Sequence, residues 1–174
     1  MENIVITNLR MRRSIRSYTK EMPSRELIAK VVEAGLYAPS GQGKQPTLMV
    51  VVTDKQTRAQ LSRLNASFLG TTADPFYGAP AIIIVFADRS APTYLYDGAL
   101  VMGNMLNAAH AEGLGSCWIH RAKEMFESDE GKALMKKWNI ADRYEGIGIC
   151  IVGFPADEVL PHPHMRKGNR VIYI

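Results

Sequence analysis

The sequence predicts an α+β fold. Continuous branched and apolar runs at residues 48–52, 81–86 and 145–152 read as buried strands, and segments with helical apolar spacing lie between them. Helices and strands alternate without the strict repetition of a doubly wound sheet, which favours α+β over α/β. With 174 residues, 47% of them hydrophobic, the chain is long enough to bury most of its apolar surface, and no linker or repeat divides it. Residues 1–174 therefore read as one domain.

Each element follows from local chemistry. Residues 1–10 suggest a short helix with Ile4, Val5 and Leu9 on one face, followed by an irregular basic turn. Ser24 is placed to cap a second helix carrying Leu27, Ile28, Val31 and Val32, which must end before Pro39. Residues 38–46 hold two glycines and two prolines, so regular structure is not expected and backbone N–H groups are left to face a ligand. A strand at 48–52 leads to a helix at 54–64 capped by Asp54, and residues 65–78, with two glycines, Pro75 and three aromatics, read as a long surface loop. After the strand at 81–86 comes a helix at 97–112 that is apolar or small nearly all round. Such a helix is buried on every side, and a second subunit is the natural cover in a chain of this size. Residues 113–120 form a short strand or loop, helical segments follow at 122–126 and 129–138, and the next strand spans 145–152. The prolines near 161–163 exclude local structure, whereas 170–174 (Arg-Val-Ile-Tyr-Ile) are strongly β-forming and need a sheet edge to join.

Charge narrows the partners. The net charge of +4 suits small anions and falls short of a nucleic-acid binder. Cys117 and Cys150 are the only cysteines and lie outside any metal or redox spacing. Residues 1–8 lack a secretory pattern, and no run approaches the ~20 apolar residues of a membrane span. A reducing, cytoplasmic location is the expectation.

The positive excess sits at the two ends. Arg10, Arg12, Arg13 and Arg16 surround Ser14, and Arg166, Lys167 and Arg170 stand near the C-terminus. Two readings are open: a solvated basic tip, or a phosphate clamp in which guanidinium forks meet phosphate oxygens. The competing sites are weak. Gly41-Gln-Gly-Lys44 lacks the first glycine and the hydroxyl of a P-loop, and Gly113-Leu-Gly115 and Gly146-Ile-Gly148 lack the third dinucleotide glycine. His110, His120, His162 and His164 complete no metal ligand set. Ser116 and Cys117 sit in no nucleophile elbow. A clamp without a convincing acid, base, nucleophile or metal points to a bound organic cofactor as the carrier of the chemistry.

Taken together, Arg12-Arg-Ser-Ile-Arg16, the run from Ala38 to Pro46, Asp74-Pro-Phe-Tyr-Gly-Ala-Pro80, Gly113-Leu-Gly-Ser-Cys-Trp-Ile119, Gly153-Phe-Pro155 and Arg166-Lys167 resemble the short form of the nitroreductase family. The resemblance implies a central, mostly antiparallel sheet flanked by helices. It also implies a homodimer whose C-terminal arm reaches the partner, with FMN bound between subunits. Carried over by position, Arg12, Ser14 and Arg166 would hold the FMN phosphate, with Arg13 and Lys167 near it and Arg16 at the ribityl or pyrimidine end. Pro39, Ser40 and Gly41 would pack on the flavin from the other subunit, with Gln45 bracing that loop, and Trp118, Ile119 and His120 would line the isoalloxazine edge. Two positions depart from the family pattern: His164, where a lysine is usual, and His120 followed by Arg121, where short members have glycine after Trp-Ile. The activity implied is transfer of electrons from NADH or NADPH, by ping-pong kinetics, to nitroaromatics, quinones or another small electrophile. Alternatives are a specialised flavin reaction, such as reductive dehalogenation or flavin destruction, and a non-catalytic flavin or polyanion binder.

Overall fold

A computed structural model describes residues 2–156, 162 and 165–174. Four strands, β1 (Thr47–Val52), β2 (Ala81–Asp88), β3 (Gly115–Ile119) and β4 (Tyr144–Gly153), form one sheet in the order β1-β2-β4-β3. Every neighbouring pair is antiparallel. Strands β2, β3 and β4 are buried on both faces, which is why β2 and β4 read as unbroken apolar runs instead of alternating ones. Strand β1 lies at the sheet edge and, apart from Val52, is half-buried or exposed, against the expectation of a buried strand at 48–52. On one face Ile82, Ile84, Phe86, Ile149 and Ile151 pack with Leu61, Met125, Phe126 and Leu134. On the other, Ile83, Val85, Cys150 and Val152 pack with Ile28, Val31, Met102 and Met105.

The helices of the first face are α3 (Lys55–Leu69), α5 (Ala122–Glu127) and α6 (Asp129–Lys137); those of the second are α2 (Arg25–Leu36) and α4 (Tyr94–Ala111). Ser24 and Asp54 cap α2 and α3 through the N–H groups of Leu27 and Thr57, as their positions in the sequence predict. The first helix, α1 (Ile4–Met11), is capped by Asn3 and buries none of its residues. Its Asn8 side chain donates to the Asn107 carbonyl of α4 at 3.0 Å. Beyond α1, Ser14 bridges Ser116 in parallel, the Ile15 N–H donates to the Ser116 carbonyl at 3.0 Å, and Tyr18 bridges Pro155. This segment covers the outer edge of β3.

Several expectations need correction. Residues 65–78 are not a long loop: α3 continues to Leu69, and Phe76 is completely buried. The reason is Asp74, which accepts from Arg58 Nη2 and Ser62 Oγ, each at 2.6 Å, and from the N–H groups of Phe76 and Gly78. The glycine-proline loop contains a short 3₁₀ turn at Gly41–Gly43. Helix α4 begins at Tyr94, three residues earlier than its periodicity suggests, and Leu95, Tyr96 and Leu100 leave one stripe of it exposed. Residues 170–174 join no strand among the described residues. Within the single chain Val171, Ile172, Tyr173 and Ile174 are exposed. No helix among the described residues is long and apolar enough to cross a membrane.

Candidate functional site

Arg12 ends α1, its N–H donating to the Asn8 carbonyl. Its guanidinium lies close enough to His110 of α4 and Cys150 of β4 to influence their ionisation. Its Nη1 is buried and has no hydrogen-bond partner. A buried charged donor without an acceptor is costly, and an anion is the group that would satisfy it. The Arg13 Nη1 donates to the carbonyls of Arg10 and Arg12, both at 2.7 Å, and braces the turn. Arg10 pairs with Glu2. Ser14, held by its bridge to Ser116, sits beside Arg12 and half-buried.

His110 lies in the last turn of α4. Burial first, and then the charges of Arg12 and Arg13, hold its imidazole below the ordinary histidine value. The positive field that a phosphate would meet is thus already felt by a neighbouring group. The cysteines are unsuited to chemistry here. Both are free and buried, and burial, followed by the nearby Cys117, pushes the Cys150 thiol up to about 12. Burial likewise raises the Tyr18 phenol, whose hydroxyl donates to the Ile15 carbonyl at 2.7 Å.

Further along the same strand edge, a cleft of about 200 Å³ gathers Arg16, Asn65, Tyr77, Trp118, His120 and Arg121, with Ile119 at its base. The structure brings the predicted Arg16, Trp118, Ile119 and His120 together at this one cleft. Three features there were not foreseen. The Arg16 guanidinium lies 5.9 Å from the Tyr77 ring centre, Asn65 donates to the His120 carbonyl at 2.9 Å, and Arg121 has a left-handed backbone at φ +76°. Tyr77 could have been suspected from Phe-Tyr-Gly after Asp74, but Asn65 carried no local signal. Gly148 matters for the opposite reason: a Cβ there would stand 2.7 Å from the Trp118 indole, so the ring rests directly on strand β4.

The other half of the predicted site is elsewhere. Gly41 donates its N–H to Asp97 Oδ1 at 3.0 Å and lies so near Thr93 that a Cβ would come within 2.3 Å of its Oγ1. Ser40 Oγ accepts from the Gln45 N–H at 3.0 Å, so Gln45 does brace this loop, and Pro39 precedes it. The loop is therefore fixed to the first turn of α4, whereas Arg12 and Arg13 act on His110 in its last turn. At 1.5 Å per residue the two ends of that stretch are about 20 Å apart. Within one chain, the Gly41 loop is therefore far from Arg12, and Pro39, Ser40 and Gly41 are not among the walls of the cleft that holds Arg16 and Trp118. Arg166 and Lys167 are exposed, and no hydrogen bond or ion pair joins them to Arg12 or Ser14 among the described residues. His164 lies outside the described residues. A larger cavity of about 1060 Å³ beside α5 and α6 holds none of the predicted residues, and its buried Glu145 is already paired with Lys123 at 3.2 Å.

The nitroreductase family profile matches residues 9–74 and 67–154, which includes Arg12 to Arg16, the loop at 39–45 and Trp118 to His120. The chain belongs to the nitroreductase family. This family member is 39% identical to an FMN reductase [NAD(P)H] of Bacillus subtilis, across 95% of the present chain and 71% of that protein. It is 28% identical to an iodotyrosine deiodinase of Thermotoga neapolitana, across 60% and 67% of the two chains. Its fold superposes on a nitroreductase from Bacteroides fragilis with bound FMN at a TM-score of 0.91, with 23% identity over 99% of this chain and 100% of that one. As a nitroreductase-family protein it is an FMN-binding oxidoreductase. The unpartnered Arg12 Nη1 is the feature of its own structure that fits the phosphate of that cofactor.

Proposed function

We propose that the protein is a homodimeric, FMN-dependent oxidoreductase that passes electrons from NADH or NADPH to a nitroaromatic, a quinone or a related small electrophile. The observation that carries this reading is the buried, unsatisfied Arg12 nitrogen. Arg12 and Ser14 hold the FMN phosphate together with Arg166, while Arg13 and Lys167 add positive field nearby. Arg16, steadied over Tyr77, serves the ribityl or pyrimidine end. Trp118, Ile119 and His120 line the isoalloxazine edge, and Asn65 fixes that edge by holding the His120 carbonyl. Pro39, Ser40 and Gly41 of the second subunit, braced by Gln45, close the site from the other side. The bound FMN supplies the redox chemistry.

The chain's own residues then have three tasks: to retain the cofactor, to leave one narrow cleft open, and to keep water from the remainder. A single cleft that admits the donor and the acceptor in turn gives ping-pong kinetics. The deiodinase relative supports a second reading, reductive dehalogenation of a halogenated phenol at the same site.

The deciding experiment is the visible spectrum of purified protein, taken without oxygen before and after NADH, and then after NADPH. Flavin bands that bleach with either donor support the reading and name the donor. Bands that persist with both leave a flavin binder. A chain that takes up no FMN returns Arg12 to a general polyanion role, which steep salt dependence would reveal.

A further inference from the structure

Tyr77 holds a backbone conformation that its side chain disfavours. Its φ is +52°, in the left-handed region, and Gly78 follows at φ +76°. Glycine or asparagine is the ordinary occupant of such a position, and a bulky aromatic there is an outlier. The corner around it enforces the conformation. The Tyr77 N–H donates to the Asp74 carbonyl at 3.1 Å, and the Asp74 carboxylate accepts from the flanking N–H groups of Phe76 at 3.0 Å and Gly78 at 2.8 Å. Phe76 is completely buried and anchors the corner, whereas Tyr77 faces outward and is 43% exposed. A costly conformation kept by that many contacts points to a use for the ring. The ring faces Arg16, whose guanidinium lies 5.9 Å from its centre. Among the described residues Arg16 forms no hydrogen bond or ion pair. Its charge reaches the Tyr18 phenol, but that hydroxyl already donates to the Ile15 carbonyl at 2.7 Å. An exposed arginine samples many rotamers, so the aromatic face against it is what limits where the charge stands.

We propose that Tyr77 is a positioning residue: it holds the Arg16 guanidinium against the flavin and so raises the reduction potential of the bound cofactor. The proposal rests on the FMN reading above, and of the two ends left to Arg16 there it takes the pyrimidine. A flavin that takes up two electrons and one proton gains a negative charge. Hydride from NADH or NADPH delivers all three together. A cation fixed close to that charge, in a site from which water is kept, stabilises it more than a cation free to swing into solvent. Tyr77 therefore acts on the reduced state through Arg16, with no contact of its own to the reacting atoms required. The strain at φ +52° is the cost of placing an aromatic face where the backbone favours glycine.

The test is the midpoint potential of FMN-loaded protein, read against a reference dye without oxygen, for the wild type, Tyr77→Phe and Tyr77→Asn. Asparagine suits the left-handed backbone, so that variant is expected to fold, and its flavin absorbance checks that the cofactor is in place. Tyr77→Phe keeps the ring and should keep the wild-type potential. Tyr77→Asn should move the reduction equilibrium about tenfold toward oxidised flavin, a potential lower by about 30 mV for a two-electron couple. In an Arg16→Gln background, where Arg12 and Ser14 still hold the phosphate, the same change should have no effect. An unchanged potential in Tyr77→Asn overturns the proposal and leaves the FMN reading intact. An equal drop in Tyr77→Phe also overturns it, since the hydroxyl and not the ring would then matter. So does a drop that persists without Arg16, because the ring would be acting on the flavin directly. Protein that takes up no FMN overturns both readings, and is seen in the spectrum before any potential is measured.

Discussion

An arginine whose buried nitrogen lacks an acceptor is stabilised by the anion that reaches it, and Arg12 is that residue here. Arg12→Ala should therefore weaken FMN binding by about 1.5 to 3 kcal/mol, roughly ten- to a hundredfold in Kd, measured by flavin fluorescence titration. Unchanged affinity would remove Arg12 from the phosphate site. His110 gives an independent readout. Its folded pKa is lowered by burial and then by Arg12 and Arg13. The folded state thus resists protonation, and stability falls as pH drops from about 6.5, the ordinary value, toward the lower folded one. Removing Arg12 should move the His110 titration upward in proton NMR, and FMN binding to the wild type should do the same by neutralising the field. At this scale the sequence was informative wherever residue type alone states the chemistry, as with Arg12, Ser14 and Gln45. It was silent on Asn65, whose role depends on a backbone carbonyl 55 residues away, and it marked Arg121 as a departure from the family pattern without its left-handed backbone.

Among the elements, the Asp74 turn joins stability to the site. One carboxylate holds Arg58 and Ser62 of α3 and two N–H groups of the turn, and so sets the position of Tyr77 against Arg16. Burial raises the Asp74 pKa, but the hydrogen bonds from Arg58, Ser62, Gly78 and Phe76 outweigh it and hold the group below the usual carboxylate range. Its stabilisation is present above the ordinary aspartate pKa and is lost as pH falls through the lower folded value. Asp74→Asn should cost about 2 kcal/mol at neutral pH, a Tm lower by roughly 4 to 8 °C, with the gap to wild type closing below about pH 4. A gap that persists at pH 2 would assign the loss to packing. The sequence marked Asp74 to Pro80 as a motif yet took residues 65–78 for a loop, because its glycines, Pro75 and aromatics are turn signals. Tertiary hydrogen bonding converts those signals into a fixed corner. Strands β2 and β4, helix α2 and the start of α3 were legible to within a few residues, because burial on both faces and side-chain caps leave strong local patterns.

For the whole molecule, Leu95, Tyr96 and Leu100 on α4, Ile4, Val5 and Leu9 on α1 and residues 171–174 leave large apolar side chains exposed within one chain. The largely apolar character of α4 led the sequence to expect a partner subunit, which the proposed homodimer would supply. The distance between the two halves of the site did not appear there, since it follows from which turn of α4 each loop contacts. That separation of about 20 Å along one helix has a genetic consequence. If each site takes Arg12 from one subunit and the loop at Gly41 from the other, two inactive proteins can repair one another. At an FMN concentration that just saturates the wild type, Arg12→Ala and Gly41→Val chains should each be largely inactive alone. Unfolded together and refolded as an equal mixture, they should regain about a quarter of the wild-type sites, because half the dimers are mixed and each of those carries one intact site beside one doubly damaged site. Were both halves to come from a single chain, the mixture would stay as inactive as its parents.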